Sequence, residues 1–504
     1  MSNANSRMSL RAFWGLASWV LPLVVVFLVT PRLLHLLAAE RFGILMIVLV
    51  TPVIAAQFDL GLASSAVRRL ASERRLGRVS VRDTLLPYAI GLCAMGLVFA
   101  GLVTNGSGWI ADALNFSAAL GRDEAGDLVR WCAIWGATGV VSAMPALVAR
   151  AVQSFAWIAA VQTFATVLLW IGALVLVHYN HPLREVVVLG MLVSVCTAAL
   201  MAFAVRDAVQ WGSTPTSRIS ISLEDRRFAT GMFIAQIASA IVFQADRILV
   251  SVLGSPAIAG AYALCINVAN KPLAAVVAVT SFAFPHASGL HANAARAELG
   301  ALLRSLDRAV IVLIFPLMIP GLWLAQSFMK LWLGTYGTPS LALAFQLLLI
   351  AFAVAALAVP AGHLLAASGR ASLAAKFSCL TAGVVVSAML ALVPPFGLLG
   401  AAVAILAGMS TSLVFAAVAR RALGLQGHSG RGRFWAGVLL GMTTQAALLF
   451  VLAGLVVDWW TLLALGVASW SAFFLVRVIF KMLSSEEIRI SDELKVVLIH
   501  FRKL

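Results

Sequence analysis

Apolar residues in this chain come in long unbroken runs, not in the alternating or every-third-position patterns of half-buried strands and helices. Fourteen such runs lie at about 13–38, 42–66, 84–104, 128–149, 156–178, 185–205, 228–253, 257–284, 305–328, 340–366, 373–393, 398–419, 434–456 and 459–480. A helix needs roughly 20 apolar residues to cross the hydrocarbon layer. The connections between the runs are too short to hold a soluble domain. The pattern predicts an all-α integral membrane protein of about 14 transmembrane helices.

One polar segment, GSTPTSRISISLEDRR at 212–227, interrupts the runs near the middle. It leaves six spans before it and eight after. The expected organisation is an N-lobe (1–211), a cytoplasmic linker (212–227), a C-lobe (228–424), an extra helix pair (425–480) and an amphipathic tail (481–504). Six spans return the chain to its starting side, so two six-helix lobes would be pseudo-symmetric about an axis along the membrane normal. The sequence carries a trace of that repeat. PRLLHLLAAERFG (31–43) and DRILVSVLGSPAIAG (246–260) each run as an Arg, an aliphatic stretch, a tight outer turn and a Gly opening the next span.

Composition agrees with the pattern: 62% of residues are hydrophobic and 11% charged, against about 25% charged in soluble proteins. The net charge of +16 would suggest nucleic acid in a soluble chain. Here it follows the bias of basic residues toward cytoplasmic loops. With both termini in the cytoplasm, 28 of the 36 Lys and Arg fall on the inner side. One span more or fewer would invert every later loop and destroy that bias. The N-terminal segment reads as a retained first span, because no small-residue cleavage site follows a short core. The tail places Ile490, Leu494, Val497, Leu498 and Phe501 at helical spacing among basic residues, suited to the cytoplasmic lipid surface.

Other residue types add less. Cys93, Cys132, Cys196, Cys265 and Cys379 sit in apolar runs without metal-ligand spacing and are expected to be buried small hydrophobes. His35 and His363 are expected to be packing residues, while His286 and His291 match no metal motif. Pro22, Pro52, Pro145, Pro272, Pro316, Pro320 and Pro360 lie inside spans, where each removes a helix donor and bends the chain. Gly437 and Gly441 form a close-packing GxxxG in the thirteenth span.

The informative residues are charges within the spans, each of which costs a few kcal/mol unless it faces protein or water. Arg32, Arg247 and Lys271 are the basic ones. Arg matches phosphate oxygens with a planar fork, and Lys supplies a mobile point charge. Asp59 and Asp246 are the acids, suited to balancing those cations or to carrying H⁺ or Na⁺. Gln57, Gln236, Gln244, Asn267 and Asn270 lie in the same spans. They suit sugar hydroxyls, and equally bridging between helices.

QFDLGLASSAVRR in span 2, ADRILVSVLG and GAYAL in spans 7 and 8, and the closing FPHASG resemble the polysaccharide-export branch of the multidrug, oligosaccharidyl-lipid and polysaccharide exporter superfamily. That branch includes the Wzx-type flippases. The resemblance covers about residues 10–425. Its markers are Asp59 and Gly61, Asp246 and Arg247, Gly260 and Tyr262, and Pro285. It implies an alternating-access carrier with a cationic cavity in the bacterial inner membrane. Such a carrier moves undecaprenyl-diphosphate-linked sugar repeats to the periplasmic leaflet, with membrane lipids and other polysaccharide assembly proteins as partners.

Two other classes of membrane protein fit the residues less well. A glycan polymerase or ligase would want a sizeable loop with catalytic acids or a metal site, and the sequence offers no such motif, so neither enzyme activity nor a cofactor is expected. An ion-coupled drug antiporter would want an acid-dominated cavity, whereas the in-span charges are three basic to two acidic.

Overall fold

The computed structural model describes residues 2–59, 62, 66, 70, 81–151, 154–206, 244–280, 296–368, 370–424 and 432–480. The linker at 212–227, the tail, Gln236, Pro285, His286 and His291 lie outside the described residues. Among the described residues every regular element is helical. The chain falls into two compact units, Met1–Ala263 and Leu264–Leu504.

The first unit opens with α1 (Ser2–Val48), whose helical geometry is broken at Ala38 (φ 56, ψ 173). Forty-seven residues of continuous helix would reach about 70 Å, more than twice the apolar thickness of a bilayer. The break falls where the pattern ends the first span. Holding a non-glycine residue in that region costs of order 1–3 kcal/mol, so the surrounding packing must hold it. After α2 (Thr51–Ala55) and a 3-10 turn, Ala56–Asp59, come α3 (Val81–Asn105), α4 (Ser107–Ala113) and α5 (Phe116–Leu120). The connection between the third and fourth apolar runs therefore holds two short helices. Asp112 ties them to the next span, accepting bonds from Ser117 Oγ at 2.6 Å and Arg122 Nη2 at 2.9 Å. The Ser117 hydroxyl, aided by Arg122, holds the Asp112 carboxyl below its usual range.

The fourth span is split into α6 (Arg122–Ser142) and α7 (Met144–Ala151). It starts six residues before the apolar run, because Asp123 and Glu124 occupy its first turn and favour the positive end of the helix dipole. Next are α8 (Phe155–His178) and α9 (Leu183–Val205). Then come α10 (Asp246–Leu253) and α11 (Pro256–Ala269), of which residues up to Ala263 belong to the first unit.

The second unit continues with α12 (Lys271–Thr280), α13 (Arg296–Trp323) and α14 (Ala325–Leu333), the last two being bent by 69° at their junction. Pro316 and Pro320 lie inside α13. Pro320 has no N–H for the Pro316 carbonyl, and the buried Gln445 supplies the missing donor at 3.1 Å. Gln346 does the same for Leu322 beside the bend, at 2.7 Å. Helices α15 (Pro339–Ala356) and α16 (Val359–Ala367) form the tenth span.

The 52-residue α17 (Ala371–Ala422) is two antiparallel spans joined at Gly397 (φ 54). Thr381 and Thr411 share a 2.6 Å hydrogen bond across the hairpin, and a methyl on Gly408 would lie 2.2 Å from Val385. α18 (Gly432–Leu452) and α19 (Trp459–Ile479) form the extra pair. Gly441 makes room there for the Phe473 ring, as a methyl would sit 2.6 Å from it. The GxxxG thus packs internally at that residue.

Among the described residues ten helices, or eleven with the bent pair, are long and apolar enough to cross a membrane. The hairpin at Gly397 raises the number of crossings above the number of helices. Fourteen stays an expectation, since residues 207–243 are not described. Cys132 and Cys265 are buried as expected, whereas Cys93, Cys196 and Cys379 are exposed on apolar helix faces. Periodicity within a run that is apolar all round does not distinguish the lipid-facing side from the packed side.

Candidate functional site

Residues 244–263 are fastened to the first unit by polar bonds and by close backbone contact. Asp246 opens α10 and is fully buried. One carboxylate oxygen accepts from the Arg247 backbone N–H at 2.9 Å, the other from the Tyr262 hydroxyl at 2.6 Å. Tyr262 is itself fully buried, so this bond joins spans 7 and 8. Its acid lies in the first turn of a helix, where the dipole favours negative charge. The half-buried Arg247 guanidinium acts electrostatically on the same carboxylate. One turn further, Ser251 Oγ donates to the Leu114 carbonyl at 2.7 Å and Asn115 donates to the Ser251 carbonyl at 2.9 Å.

Backbones meet beside these bonds. A methyl on Gly43 would lie 1.8 Å from the Pro256 carbonyl oxygen, and one on Gly260 would lie 2.8 Å from Gly43 Cα. These two glycines are the ones that close the repeated segments of the sequence. Only residues without a side chain permit so close a crossing.

The other predicted residues of this unit stand apart from that knot. Arg32 is exposed on α1, with His35 exposed on the same face. Gln57 is half-buried and spends its amide donor on the Val53 carbonyl at 3.2 Å. Gln244 is half-buried immediately before α10. Asp59 ends the 3-10 turn, and its side chain lies outside the described residues.

In the second unit, Asn267 and Asn270 are half-buried at the end of α11, and Lys271 is exposed as the first residue of α12. The Asn270 N–H bonds to the Ile266 carbonyl and the Ala274 N–H to the Asn270 carbonyl, both at 3.0 Å, so the helical ladder runs on across this turn and Lys271 sits within one span, Pro256–Thr280.

Several polar groups were not singled out by their residue types. Tyr262 was legible only as part of a family marker. Arg477, counted among cytoplasmic-side charges, is fully buried with its guanidinium 5.5 Å from the Phe434 ring and 5.3 Å from Phe473. Arg308 lies 5.6 Å from the same Phe434 ring, and Arg420 pairs with Asp307 at 2.9 Å. These arginines are engaged within the bundle. Asp123, Glu124 and Asp127 of α6 and Arg184 of α9 border an open cleft of about 400 Å³, in which Arg184 approaches Asp127 at 3.8 Å. Among the described residues no His, Cys, Asp and Glu cluster has the makings of a metal site.

The architecture is that of an all-helical chain with many apolar spans. It superposes on a lipid II flippase MurJ in an inward closed conformation with a TM-score of 0.69, 12% identity, and coverage of 93% of this chain and 99% of that one. It also matches an inward-facing multidrug resistance MATE transporter (TM-score 0.61, 14% identity, 82% and 94% covered). The VcmN MATE transporter of Vibrio cholerae gives a TM-score of 0.57 at 16% identity, with 84% and 99% covered. Identities this low establish the fold alone. Residues 33–342 match the model of the polysaccharide biosynthesis protein family, and the chain belongs to that family. It matches no curated protein sequence.

Proposed function

We propose that this protein is a flippase that carries undecaprenyl-diphosphate-linked oligosaccharide repeats from the cytoplasmic to the periplasmic leaflet. It does so by alternating access, in the bacterial inner membrane with both termini cytoplasmic, for a surface or secreted polysaccharide. The observation that carries this reading is Lys271, exposed inside an apolar span. Bringing an unpaired diphosphate into a low-dielectric layer costs on the order of 20 kcal/mol per ion by an idealised Born estimate. A fixed ammonium in a wet groove lowers that cost. Arg32 and Arg247 supply the other cations. Asp59 and Asp246 balance charge or couple transport to H⁺ or Na⁺, and the sealed bonds of Asp246 favour balance.

Gln57, Gln236, Gln244, Asn267 and Asn270 offer amides to sugar hydroxyls. The family's link to polysaccharide biosynthesis and the lipid II flippase among the structural neighbours support a lipid-linked glycan as cargo. Expression in a strain lacking its own flippase tests the reading. Restored polymer export, lost on Lys271→Ala while the protein stays in the membrane, is the expected result. Failure to restore export, with new resistance to cationic dyes, would replace this reading with a drug antiporter.

A further inference from the structure

Spans 2, 4, 8 and 10 are each broken near the middle, and the four breaks share one local sequence. The inner piece begins with a residue followed by proline: Thr51-Pro52 in α2, Met144-Pro145 in α7, Lys271-Pro272 in α12 and Val359-Pro360 in α16. At three of the four the helical ladder tightens to i→i−3 bonds just before the break. Val50 bonds to Ile47 at 3.1 Å, Ala143 to Val140 at 3.4 Å and Ala358 to Ala355 at 3.1 Å. A proline removes one ladder bond, and a mid-helix 3-10 turn is where a helix bends at least cost.

The breaks are also paired by contact within each unit. In the first, a methyl on Gly139 would lie 3.4 Å from Pro52, one turn before the break at Ala143, and α2 packs against α6. One apolar cluster, with Ala55, Phe99, Val140 and Leu147, bridges the two breaks, and beyond them Val148, Ala149, Ile158, Met201 and Val205 form a cluster of their own. In the second, α12 packs against α16, and α16 joins a cluster of its own with Leu303, Leu306 and Ala419. Each unit thus has two adjacent bends and, beyond them, an inner part with a separate core. The outer part of the first unit is held by the Gly43 and Gly260 crossing and the Ser251 bonds.

We propose that Pro52, Pro145, Pro272 and Pro360 mark hinges about which the inner part of each unit swings while its outer part keeps its packing. The motion divides each of these spans at its middle instead of tilting it whole. The inference does not depend on the cargo, so it can fail separately from the flippase reading.

Pulsed electron spin resonance on the full chain in lipid nanodiscs tests it, with spin labels attached through encoded azido residues so that the native cysteines stay. In the first unit the inner pair crosses the hinge, from Asp123 at the outer end of span 4 to Arg150 at its inner end, and the outer pair is Asn105 and Asp123. In the second unit the corresponding pairs are Ser340 with Ser368 and Ser340 with Val451. Distances are read without ligand and with added undecaprenyl diphosphate. The expected result is a broad or shifting inner distance, by several ångströms, beside a narrow and constant outer one. The Pro52→Ala, Pro145→Ala double variant restores two donors and should narrow the inner distribution of the first unit. Inner and outer distances that change together, or inner distances narrow and fixed in every condition, overturn the proposal. Should the added lipid change nothing, a broad inner and narrow outer distance without it still support the hinges, and only the cargo is in question.

Discussion

The stretch from Gln244 to Thr280 holds two regions that look alike in sequence and differ in structure. Its first part, through Ala263, is knotted to its surroundings. Asp246 is sealed between Tyr262 and a backbone N–H, Ser251 is bonded to Leu114, and Gly260 lies against Gly43. Its second part, from Asn270, contains a turn and presents an exposed lysine. A charge in an apolar span costs free energy in either setting. The first part buries its charge among partners inside the protein, and the second carries its charge at an exposed position. The difference between a structural charge and a working one is therefore a matter of what surrounds it.

That contrast can be broken or sharpened by substitution. The largest effect is expected at the open end. Lys271→Ala should reduce polymer export at least about tenfold, equivalent to about 1.4 kcal/mol, with unchanged membrane levels, while Lys271→Arg retains most of it. Gly43→Ala comes next, because its methyl would overlap the Pro256 carbonyl. Overpacking of this kind costs about 1–3 kcal/mol, visible as a lower melting temperature in detergent.

Tyr262→Phe removes a donor from a buried carboxylate, a loss of about 1–3 kcal/mol. It should lower stability while leaving transport per folded molecule intact. A variant that keeps its stability but loses transport would erase the contrast between the two parts. Gln445→Leu leaves the Pro316 carbonyl without its donor. Interhelical bonds in membranes average about 0.6 kcal/mol, so only a small drop in melting temperature is expected.

The smallest effect is at the α19 cap, where Asp458 accepts the Thr461 N–H at 2.8 Å. That bond holds the Asp458 carboxyl below its usual range. Its contribution is present above the ordinary carboxylate range and is lost as pH falls through the lowered value. Asp458→Ala should thus lower the melting temperature slightly at neutral pH and leave it unchanged in strong acid.

Much of the fold was legible because a bilayer imposes a simple demand. Runs of about 20 apolar residues must be helices, since unsatisfied backbone groups are too costly in hydrocarbon. The end of the first span at Ala38 and the turn at Gly397 fall where the runs pause. The repeated Gly43 and Gly260 were visible as closing positions of two similar segments, but their contact was not. Pro52, Pro145, Pro272 and Pro360 were visible as bends, yet a list of prolines gives no sign that these four share one register. Pro316 and Pro320 fell in the same list and are held by Gln445 in an otherwise continuous helix.

By itself, the sequence determined the class of molecule, most of the apolar spans and the candidate charges. These follow from transfer free energies, which depend on composition and can be summed along a chain. Tertiary structure alone decided that Asp246 is sealed by Tyr262, that Arg477 is buried between two aromatic rings and that three cysteines are exposed. Such outcomes depend on which helix faces meet, and a run that is apolar on every side leaves that choice to packing between segments far apart in the chain.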